Sequence, residues 1–279
     1  MFSVAPTGQE FNLEPGNTYT GKITILNSSD AESDFLYNVS VTPYSVIGEE
    51  YNVDLATKSN YSMLTEWVTV NNPTGSLKPG EKRDIEFSIS VPESAPAGGQ
   101  YASILVTENN AGSKGSGLSI DGVLEIASLI YASVSGETIH DGGILENNIP
   151  GFIMTDSISV GSLLVNNGNV HEPAITLLQV KNLFTGEVIL SKDGEGGRHS
   201  EAIMPETTRR IDYKIDNLPI VGLTEVTQTI YYDGQTSVVT KNVIICPLWF
   251  ITLIVTLVGA VIATIVVKRK KRKINKSIL

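Results

Sequence analysis

Apolar and polar residues alternate along most of the chain, and this alternation predicts β-strands. In RDIEFSISV (83–91), Ile85, Phe87 and Ile89 alternate with charged or polar residues. A period of two places the apolar side chains on one face of a sheet and the polar side chains on the other. YTGKITILN (19–27) and FLYNVSVTPY (35–44) have the same pattern. Before residue 243 no segment shows sustained helical periodicity, so we predict an all-β region.

The first half of the chain predicts seven strands separated by turn dipeptides such as Pro15-Gly16 and Gly98-Gly99. Short antiparallel strands at this spacing are typical of an immunoglobulin-like sandwich. We therefore expect such a module over residues 1–136, with Trp67 in its core, although the disulfide of true immunoglobulin domains is absent. The predicted strands are A (2–6), B (19–27), C (35–44), D (66–71), E (83–91), F (99–107) and G (122–134).

The second half predicts another sandwich, over residues 137–242. A polar, turn-rich stretch at 137–153 marks the junction, and long apolar strands follow on both sides of Asn167-Gly168. VTQTIYYDGQTSVVT predicts a hairpin, because Asp-Gly suits the two-residue turn whose twist matches paired strands. The predicted fold class is thus all-β, with two tandem immunoglobulin-like antiparallel β-sandwiches followed by one C-terminal transmembrane helix.

That helix is predicted over residues 243–267, where 25 consecutive residues carry no charge. About 20 apolar residues suffice to cross the hydrocarbon layer of a bilayer. A soluble core helix of this length would show a polar face, and this stretch shows none. Trp249 lies near the start, where an interfacial aromatic residue is expected.

The segment after the helix, residues 268–279, is basic and contains no acidic residue. Positive residues beside a span stay in the cytoplasm. We therefore expect a single-pass protein of the plasma membrane, with residues 1–242 outside and a cytoplasmic carboxyl terminus. A stop-transfer signal attracted to anionic headgroups is favoured over nucleic-acid binding or a lipid-controlled switch. The basic residues next to the span are Lys268, Arg269, Lys270, Lys271, Arg272 and Lys273.

An exported amino-terminal domain needs an export signal, and MFSVAPTGQEF shows neither a basic region nor an apolar core of that kind. We expect the signal peptide to be encoded upstream of this sequence.

The charge and cysteine content limit which kinds of partner and which cellular compartment the sequence favours. The chain has 30 acidic and 20 basic residues, and seven of the basic residues follow Val267. The acidic region before the helix argues against nucleic acid, because phosphate binding needs a basic surface. The single cysteine, Cys246, lies at the membrane boundary, so no disulfide stabilises the predicted sandwiches. Since secreted animal domains usually carry disulfides, this favours a bacterial surface.

Several phrases resemble the amino-terminal module of the Gram-positive surface proteins called WxL-interacting proteins, which is itself similar to the pilus-chaperone immunoglobulin fold. The chain opens with F-x-V-x-P and has Leu-x-Pro-Gly before strands B and E. An asparagine, Asn27, ends strand B, and V-P-x-x-x-x-x-G-G precedes strand F. NNGNVHEPAI in the second half is common in bacterial immunoglobulin-like repeats.

The resemblance implies a non-catalytic cell-surface role, namely binding of a cell-wall polymer or another surface protein. It supplies no catalytic or peptidoglycan-binding residue. An alternative is an accessory subunit of a membrane-protein or secretion complex, which would use the helix or the second sandwich laterally. Genes for wall-binding proteins beside this one would favour the first function, and transporter or secretion genes the second.

No motif in the sequence predicts an enzyme, a cofactor or a metal site. His140, His171 and His199 are far apart in the sequence, and HEPAI is not the H-E-x-x-H of zinc proteases. The sequence has neither G-x-S-x-G nor a phosphate-binding loop. DGEGGRHSE (193–201) is open to two interpretations, a solvated loop or a weak cation site, and the solvated loop is favoured.

Three predicted loops lie at one end of the first sandwich, and two of them contain the candidate binding residues. If strand G ends near the second sandwich, the B–C (27–34), D–E (72–82) and F–G (108–121) loops point away from the membrane. Exposed loops on a rigid scaffold are common binding sites. The candidates are Asp30, Glu32, Asp34, Ser113, Lys114 and Ser116.

Overall fold

A computed structural model describes residues 1–277 except 110–123, 193–198, 217, 219 and 220. Within this part of the chain, strands predominate and a long helix follows the last strand. The strands are β1 (Phe2–Ala5), β2 (Gly8–Leu13), β3 (Thr18–Asn27), β4 (Phe35–Pro43), β5 (Ser45–Ile47), β6 (Asn52–Asp54), β7 (Val68–Val70), β8 (Thr74–Leu77), β9 (Lys82–Ser90), β10 (Gly98–Glu108), β11 (Glu125–Val134), β12 (Gly142–Asn148), β13 (Phe152–Ile153), β14 (Ile158–Asn166), β15 (Glu172–Asn182), β16 (Val188–Lys192), β17 (His199–Ile203), β18 (Thr207–Ile215), β19 (Gly222–Tyr232) and β20 (Gln235–Ile245). The helices are α1 (Leu64–Trp67) and α2 (Leu248–Ser277).

The chain divides into two compact units. Unit 1 comprises Met1–Gly142 together with Val165–Glu172 and Ala202–Arg209. Unit 2 comprises the remainder, Gly143–Leu164, Pro173–Glu201 and Arg210–Leu279. The domain boundaries after residues 136 and 242 stay predictions.

Unit 1 contains an immunoglobulin-like sandwich. One sheet has the order β1-β3-β9-β7 and the other β2-β11-β10-β4-β8. In immunoglobulin lettering these are A-B-E-D and A′-G-F-C, with β8, which follows strand D along the chain, added beside C; they extend the A-B-E-D and C-F-G sheets of the constant-type fold. Each predicted strand from A to G overlaps an observed strand. The predicted fold class, all-β with immunoglobulin-like sandwiches and a C-terminal apolar helix, is confirmed.

The inner faces of the two sheets form one apolar core, because alternate residues of each strand point inward. Trp67 belongs to this core, as expected from the sequence. Gly21 faces inward on β3 directly opposite Phe87 of β9, whose ring covers the glycine. The fully buried side chains at the centre include Leu13, Ile23, Ile25, Leu64, Leu77, Ile89, Ile104 and Ile130.

Five elements of unit 1 were not predicted, and each lacks the pattern of an internal strand. Strand β2 pairs in parallel with Leu129–Val134 of β11 but exposes or half-exposes all of its residues except Leu13. Strand β8 pairs with β4 as a short edge strand. Strands β5 and β6 form a separate two-stranded hairpin, and α1 is a single turn before β7. Short edge elements bury few side chains, so they leave little periodicity in the sequence.

The second sandwich, most of whose residues belong to unit 2, has a sheet of order β12-β14-β18 and another of order β13-β20-β19-β15-β16, with β17 also paired to β15. The hairpin β19–β20 has Tyr232 opposite Gln235, so Asp233 and Gly234 form the two-residue turn. Both turn residues have positive φ, 46° and 66°. This is the turn that the Asp-Gly dipeptide predicts.

The carboxyl-terminal helix begins later than the sequence suggests. Of the predicted span 243–267, residues 243–245 belong to β20, and α2 begins at Leu248. The three residues still alternate as a strand does: Val243 is 0% exposed, Ile244 49% and Ile245 1%. A continuous apolar run hides such a boundary, because every residue in it suits both elements. The segment Leu248–Arg269, with a mean hydropathy of 2.8, is long and apolar enough to cross a membrane.

The Gly21–Phe87 contact gives a stability prediction. Replacing Gly21 with alanine puts a methyl group where the Phe87 ring lies. Overpacking of this kind costs about 1–3 kcal/mol. We expect Gly21→Ala to lower the free energy of unfolding by about this amount in urea denaturation, whereas Thr20→Ala, on the exposed face of the same strand, stays within about 0.5 kcal/mol of the parent. An unchanged stability for Gly21→Ala would contradict the packing described for β3 and β9.

Candidate functional site

A buried asparagine holds the loop between β3 and β4 in place. Asn27, the last residue of β3, is 2% exposed. Its Nδ2 donates to the carbonyl of Ser33 (3.1 Å), within the loop, and to the carbonyl of Leu77 (3.0 Å), at the end of β8. A buried amide is costly to leave without partners, so these bonds fix where the loop begins and ends. Asn27 is the asparagine that ends strand B in the pattern resembling WxL-interacting proteins.

The loop between β8 and β9 is joined to the same point. The Gly80 N–H donates to the carbonyl of Asn27 at 3.0 Å, and the Asn27 N–H donates to the carbonyl of Glu81 at 3.0 Å. Residues 78–81 form a turn in which the Glu81 N–H donates to the Lys78 carbonyl and Gly80 has φ +80°. Proline followed by a glycine of positive φ is the signature of a type II turn. Leu-x-Pro-Gly therefore has a structural role here, as the sequence favours.

The first Leu-x-Pro-Gly phrase folds in the same way. The Asn17 N–H donates to the carbonyl of Glu14 at 3.2 Å, and Gly16 has φ +81°. Both turns lead directly into a long strand, β3 or β9.

The described ends of the loop between β10 and β11 lie at the same end of the sandwich. The Asn109 N–H donates to the carbonyl of Leu36 (2.8 Å), and the Glu108 N–H donates to the carbonyl of Leu124 (3.1 Å). The three loops therefore meet, as the sandwich topology predicts. We call this surface the loop end of unit 1. The candidates Ser113, Lys114 and Ser116 lie outside the described residues and stay predictions.

A groove of about 310 Å³ crosses the loop end. Its lining includes the predicted candidates Asp30, Glu32 and Asp34 together with Glu108 at the end of β10. Phe2 and Phe35 also line it, and their rings stack with centroids 4.1 Å apart. The arrangement is an apolar base with carboxylates around it. Sequence reasoning missed Phe2, which comes from a strand far from residues 27–34 in the sequence, and did not name Glu108 as a candidate although it begins the predicted F–G loop.

The carboxylates make the groove an anionic surface. The Ser28 hydroxyl donates to Asp30 Oδ1, which lowers the pKa of that carboxyl below its ordinary value. Glu32 and Asp34 are exposed. At neutral pH such side chains carry charge. The groove therefore suits ligands that present cationic or hydrogen-bond-donating groups.

A second groove, of about 390 Å³, lies elsewhere in unit 1 and brings together residues from distant parts of the sequence. His140, His171 and Glu172 line it with Glu10 and Tyr131. His140 Nδ1 contacts Glu172 Oε1 directly.

His171 is held in its neutral form by its surroundings. The Tyr101 hydroxyl accepts the His171 backbone N–H at 2.9 Å and lies 3.2 Å from Nδ1. The hydroxyl proton is then free to point at Nδ1, which requires an unprotonated nitrogen there. Burial lowers the pKa of His171, and the carboxylates of Glu10 and Glu172 offset part of this effect. Burial also raises the pKa of Tyr101. The pair therefore has a structural role in unit 1.

Comparison with known proteins gives a resemblance of architecture. No protein-family model matches the chain. A search of curated protein sequences also finds no significant match. Among solved structures, the class 5 fimbriae chaperone CfaA has 14% identity and a TM-score of 0.40, covering 86% of this chain and 99% of that chain. The CsuC–CsuE chaperone–adhesin complex from Acinetobacter baumannii has 13% identity and a TM-score of 0.40, and the match covers 86% of this chain and 98% of that chain. The E. coli chaperone DraB has 14% identity and a TM-score of 0.38, and the match covers 88% of this chain and 98% of that chain. Because the identities and TM-scores are low, the immunoglobulin-like assignment of unit 1 rests on its strand order.

The role of Asn27 can be tested with an isosteric change. In Asn27→Asp a carboxylate replaces the amide that donates to Ser33 and Leu77. A buried charge facing two carbonyls costs more than the roughly 1–3 kcal/mol of an unsatisfied neutral group. We expect Asn27→Asp to lower the free energy of unfolding by at least about 2 kcal/mol. It should also speed amide hydrogen exchange in residues 27–34. Asn12→Asp, the same change at an exposed position, is the control and should stay within about 0.5 kcal/mol.

The Tyr101–His171 contact predicts a pH dependence. Because the pKa of His171 is lower in the folded state, the unfolded chain binds more protons as the pH falls below about 6.5. Folding stability is therefore lost from about pH 6.5 down to the folded pKa. We expect amide protection in β10 and β11 to fall over this range, and His171→Gln to reduce the decrease. Equal pH dependence in the two proteins would show that His171 does not contribute.

Proposed function

We propose that this protein is a single-pass surface protein of a bacterial cell, which binds a partner non-catalytically through the loop end of unit 1. The observation that carries the proposal is the acidic groove lined by the loop between β3 and β4 and by Glu108 and Leu124, the described ends of the loop between β10 and β11. Loops fixed at one end of a rigid sandwich are a common arrangement for recognition. Here the groove has an apolar base, where Phe2 and Phe35 stack, and carboxylates around it.

The proposed anchor is α2. An apolar segment of 22 residues, Leu248–Arg269, matches the length that a bilayer requires. Its side chains are exposed in the structure, with none of the segment buried against the rest of the protein. A basic run from Lys268 to Lys273 follows. The positive-inside rule then places the tail in the cytoplasm and residues 1–242 outside, at the plasma membrane of a Gram-positive cell.

The proposed partner is a cell-wall polymer or another surface protein that offers cationic groups. Asp30, Glu32, Asp34 and Glu108 give the groove one sign of charge. Complementary charge steers encounters and is weakened by salt, since the Debye length is about 8 Å at physiological ionic strength. Binding should therefore weaken as the salt concentration rises. An accessory-subunit role would instead place the contact on unit 2 or α2, leaving the groove without effect on partner capture.

A pair of matched charge reversals tests the proposal. Full-length protein in detergent is mixed with purified Gram-positive cell wall and, separately, with detergent-solubilised membrane proteins. We expect Glu32→Lys/Asp34→Lys to lose most of the binding that the parent shows, because two groove carboxylates become cationic. The control is Glu14→Lys/Glu93→Lys, an equal charge change at exposed positions at the opposite end of the sandwich.

Three outcomes are informative. Selective loss in the groove variant supports the loop-end site, and the preparation that retains the parent identifies the partner class. Equal behaviour of the two variants would contradict groove binding. Retention of the parent and both variants on a membrane protein alone would favour the accessory-subunit function.

A further inference from the structure

The last strand of unit 2 leads into α2 with almost no linker. The Ile244 N–H donates to the carbonyl of Gly151 (2.9 Å), and the Cys246 N–H donates to the carbonyl of Ile153 (3.0 Å). Helical bonding begins at once, since the Phe250 N–H donates to the carbonyl of Pro247 at 3.0 Å. The sheet is thus hydrogen-bonded up to two residues before the helix. If α2 crosses a bilayer, the end of unit 2 at which β20 stops must lie at the membrane surface.

Strand pairing shows that β13 is the first of the segments that end close to the start of α2. Strand β13 is parallel to β20, with Phe152 opposite Ile244 and Ile153 opposite Ile245. The chain therefore approaches α2 along β13, and Met154 follows at the level of Cys246. Phe152 is 45% exposed and Met154 is 48% exposed. Both are large apolar side chains near the start of the helix: Met154 is about two strand residues away, or roughly 7 Å, and Phe152 about four, or roughly 13 Å.

Two other segments of unit 2 also reach the end of β20, next to the start of α2. Strand β19 begins with Gly222 opposite Ile245, so the exposed Val221 precedes it at the level of the junction. The turn after β15 also extends there, because the Leu183 N–H donates to the carbonyl of Leu223, which is opposite Ile244. Phe184 lies in this turn and is 79% exposed, and the side-chain oxygen of Asn182 accepts its backbone N–H at 2.8 Å.

Three segments of unit 2 thus carry exposed apolar residues close to the start of α2. We call this surface the membrane-proximal face, defined by Phe152, Met154, Phe184 and Val221. The charged groups at this end include Asp156 and the Lys214–Asp216 ion pair, at 2.9 Å. Apolar side chains among polar ones suit the headgroup layer, which is about 5–8 Å deep on each side of the hydrocarbon core. Trp249, in the first turn of α2, is an interfacial residue by type.

We infer that the membrane-proximal face rests in the lipid headgroup layer of the same bilayer that α2 crosses, so that unit 2 is docked on the membrane. This inference rests on the proposed anchoring by α2. The continuity of β20 with the helix argues for lipid as the occupant, because it brings this face to the membrane whatever else binds the protein. A second copy of the chain or a protein partner would be a different occupant, and this face would then stay in water when one copy is alone in a bilayer.

The test uses spin labels on the full-length chain, one copy per lipid nanodisc. Each variant carries Cys246→Ser and a single new cysteine. The label at Thr185→Cys reports on the membrane-proximal face and leaves Phe184 in place. The label at Thr236→Cys lies on β20, nine residues before Ile245 or about 30 Å away, and is exposed. The label at Val258→Cys reports on the helix. Collisions with oxygen, which prefers lipid, are compared with collisions with a water-soluble nickel chelate.

We expect the ratio of oxygen to nickel accessibility to be several-fold higher at 185 than at 236. The ratio at 185 should fall towards that at 236 when Phe184→Ser and Met154→Ser are added, because the apolar contacts with the headgroup layer are lost. A label at 185 that is as accessible to nickel as the label at 236 overturns the docking. A label at 185 that neither reagent reaches also overturns it, because the label is then buried within the protein and not against lipid.

The helix label separates the two proposals. If the label at 258 is in lipid and the label at 185 is in water, the docking fails and the anchoring stands. If the label at 258 is itself in water, the proposed anchoring fails and the docking fails with it.

Discussion

The packing of two opposed sheets has to hold unit 1 together without any covalent cross-link, because the only cysteine in the chain is Cys246. Burying one large apolar side chain contributes about 1.5–3 kcal/mol, and the inward residues of both sheets make one continuous core. Every loop that forms the proposed binding surface begins or ends on these strands. The precision of that surface therefore depends on close packing such as the Phe87 ring over Gly21.

Polar side chains then fix the loops relative to the sheets. Asn27 ends β3 and donates from one amide to two backbone carbonyls. Asn166 ends β14 with a similar arrangement, since its Nδ2 donates to the carbonyls of Val170 (2.7 Å) and Ile203 (2.9 Å). In each case a buried amide replaces a missing sheet partner at the point where the strand stops. Because these buried bonds involve backbone carbonyls, the exposed side chains of the loop can differ while the loop keeps its position. This suits a binding surface.

Alternation along the strands made most of unit 1 predictable from sequence. Residues such as Ile85, Phe87 and Ile89 point inward as their spacing indicates. The edge strands β2 and β8 were missed because they bury few side chains. The boundary at 243–247 was also missed, since a continuous apolar run suits a strand and a helix alike.

The candidate site was predictable only in part, for a different reason. The candidates Asp30, Glu32 and Asp34 lie together in one loop, and the sandwich topology predicts the loops that surround them. Glu108 and Phe2 reach the same groove through pairing between distant strands. The contact of His140 with Glu172 likewise joins residues 32 positions apart in the sequence. Contacts of this kind depend on strand order and register, which local periodicity does not specify.

The central claim is that α2 anchors the protein with both units outside the cell and the basic tail inside. Protease treatment of intact protoplasts from the source organism tests it most directly. If α2 is the anchor, protease added from outside should remove residues 1–242 and leave a membrane-bound fragment that contains Lys268–Lys273. Protection of unit 1 until the protoplasts are lysed, or release of the whole chain as a soluble protein, would contradict the account.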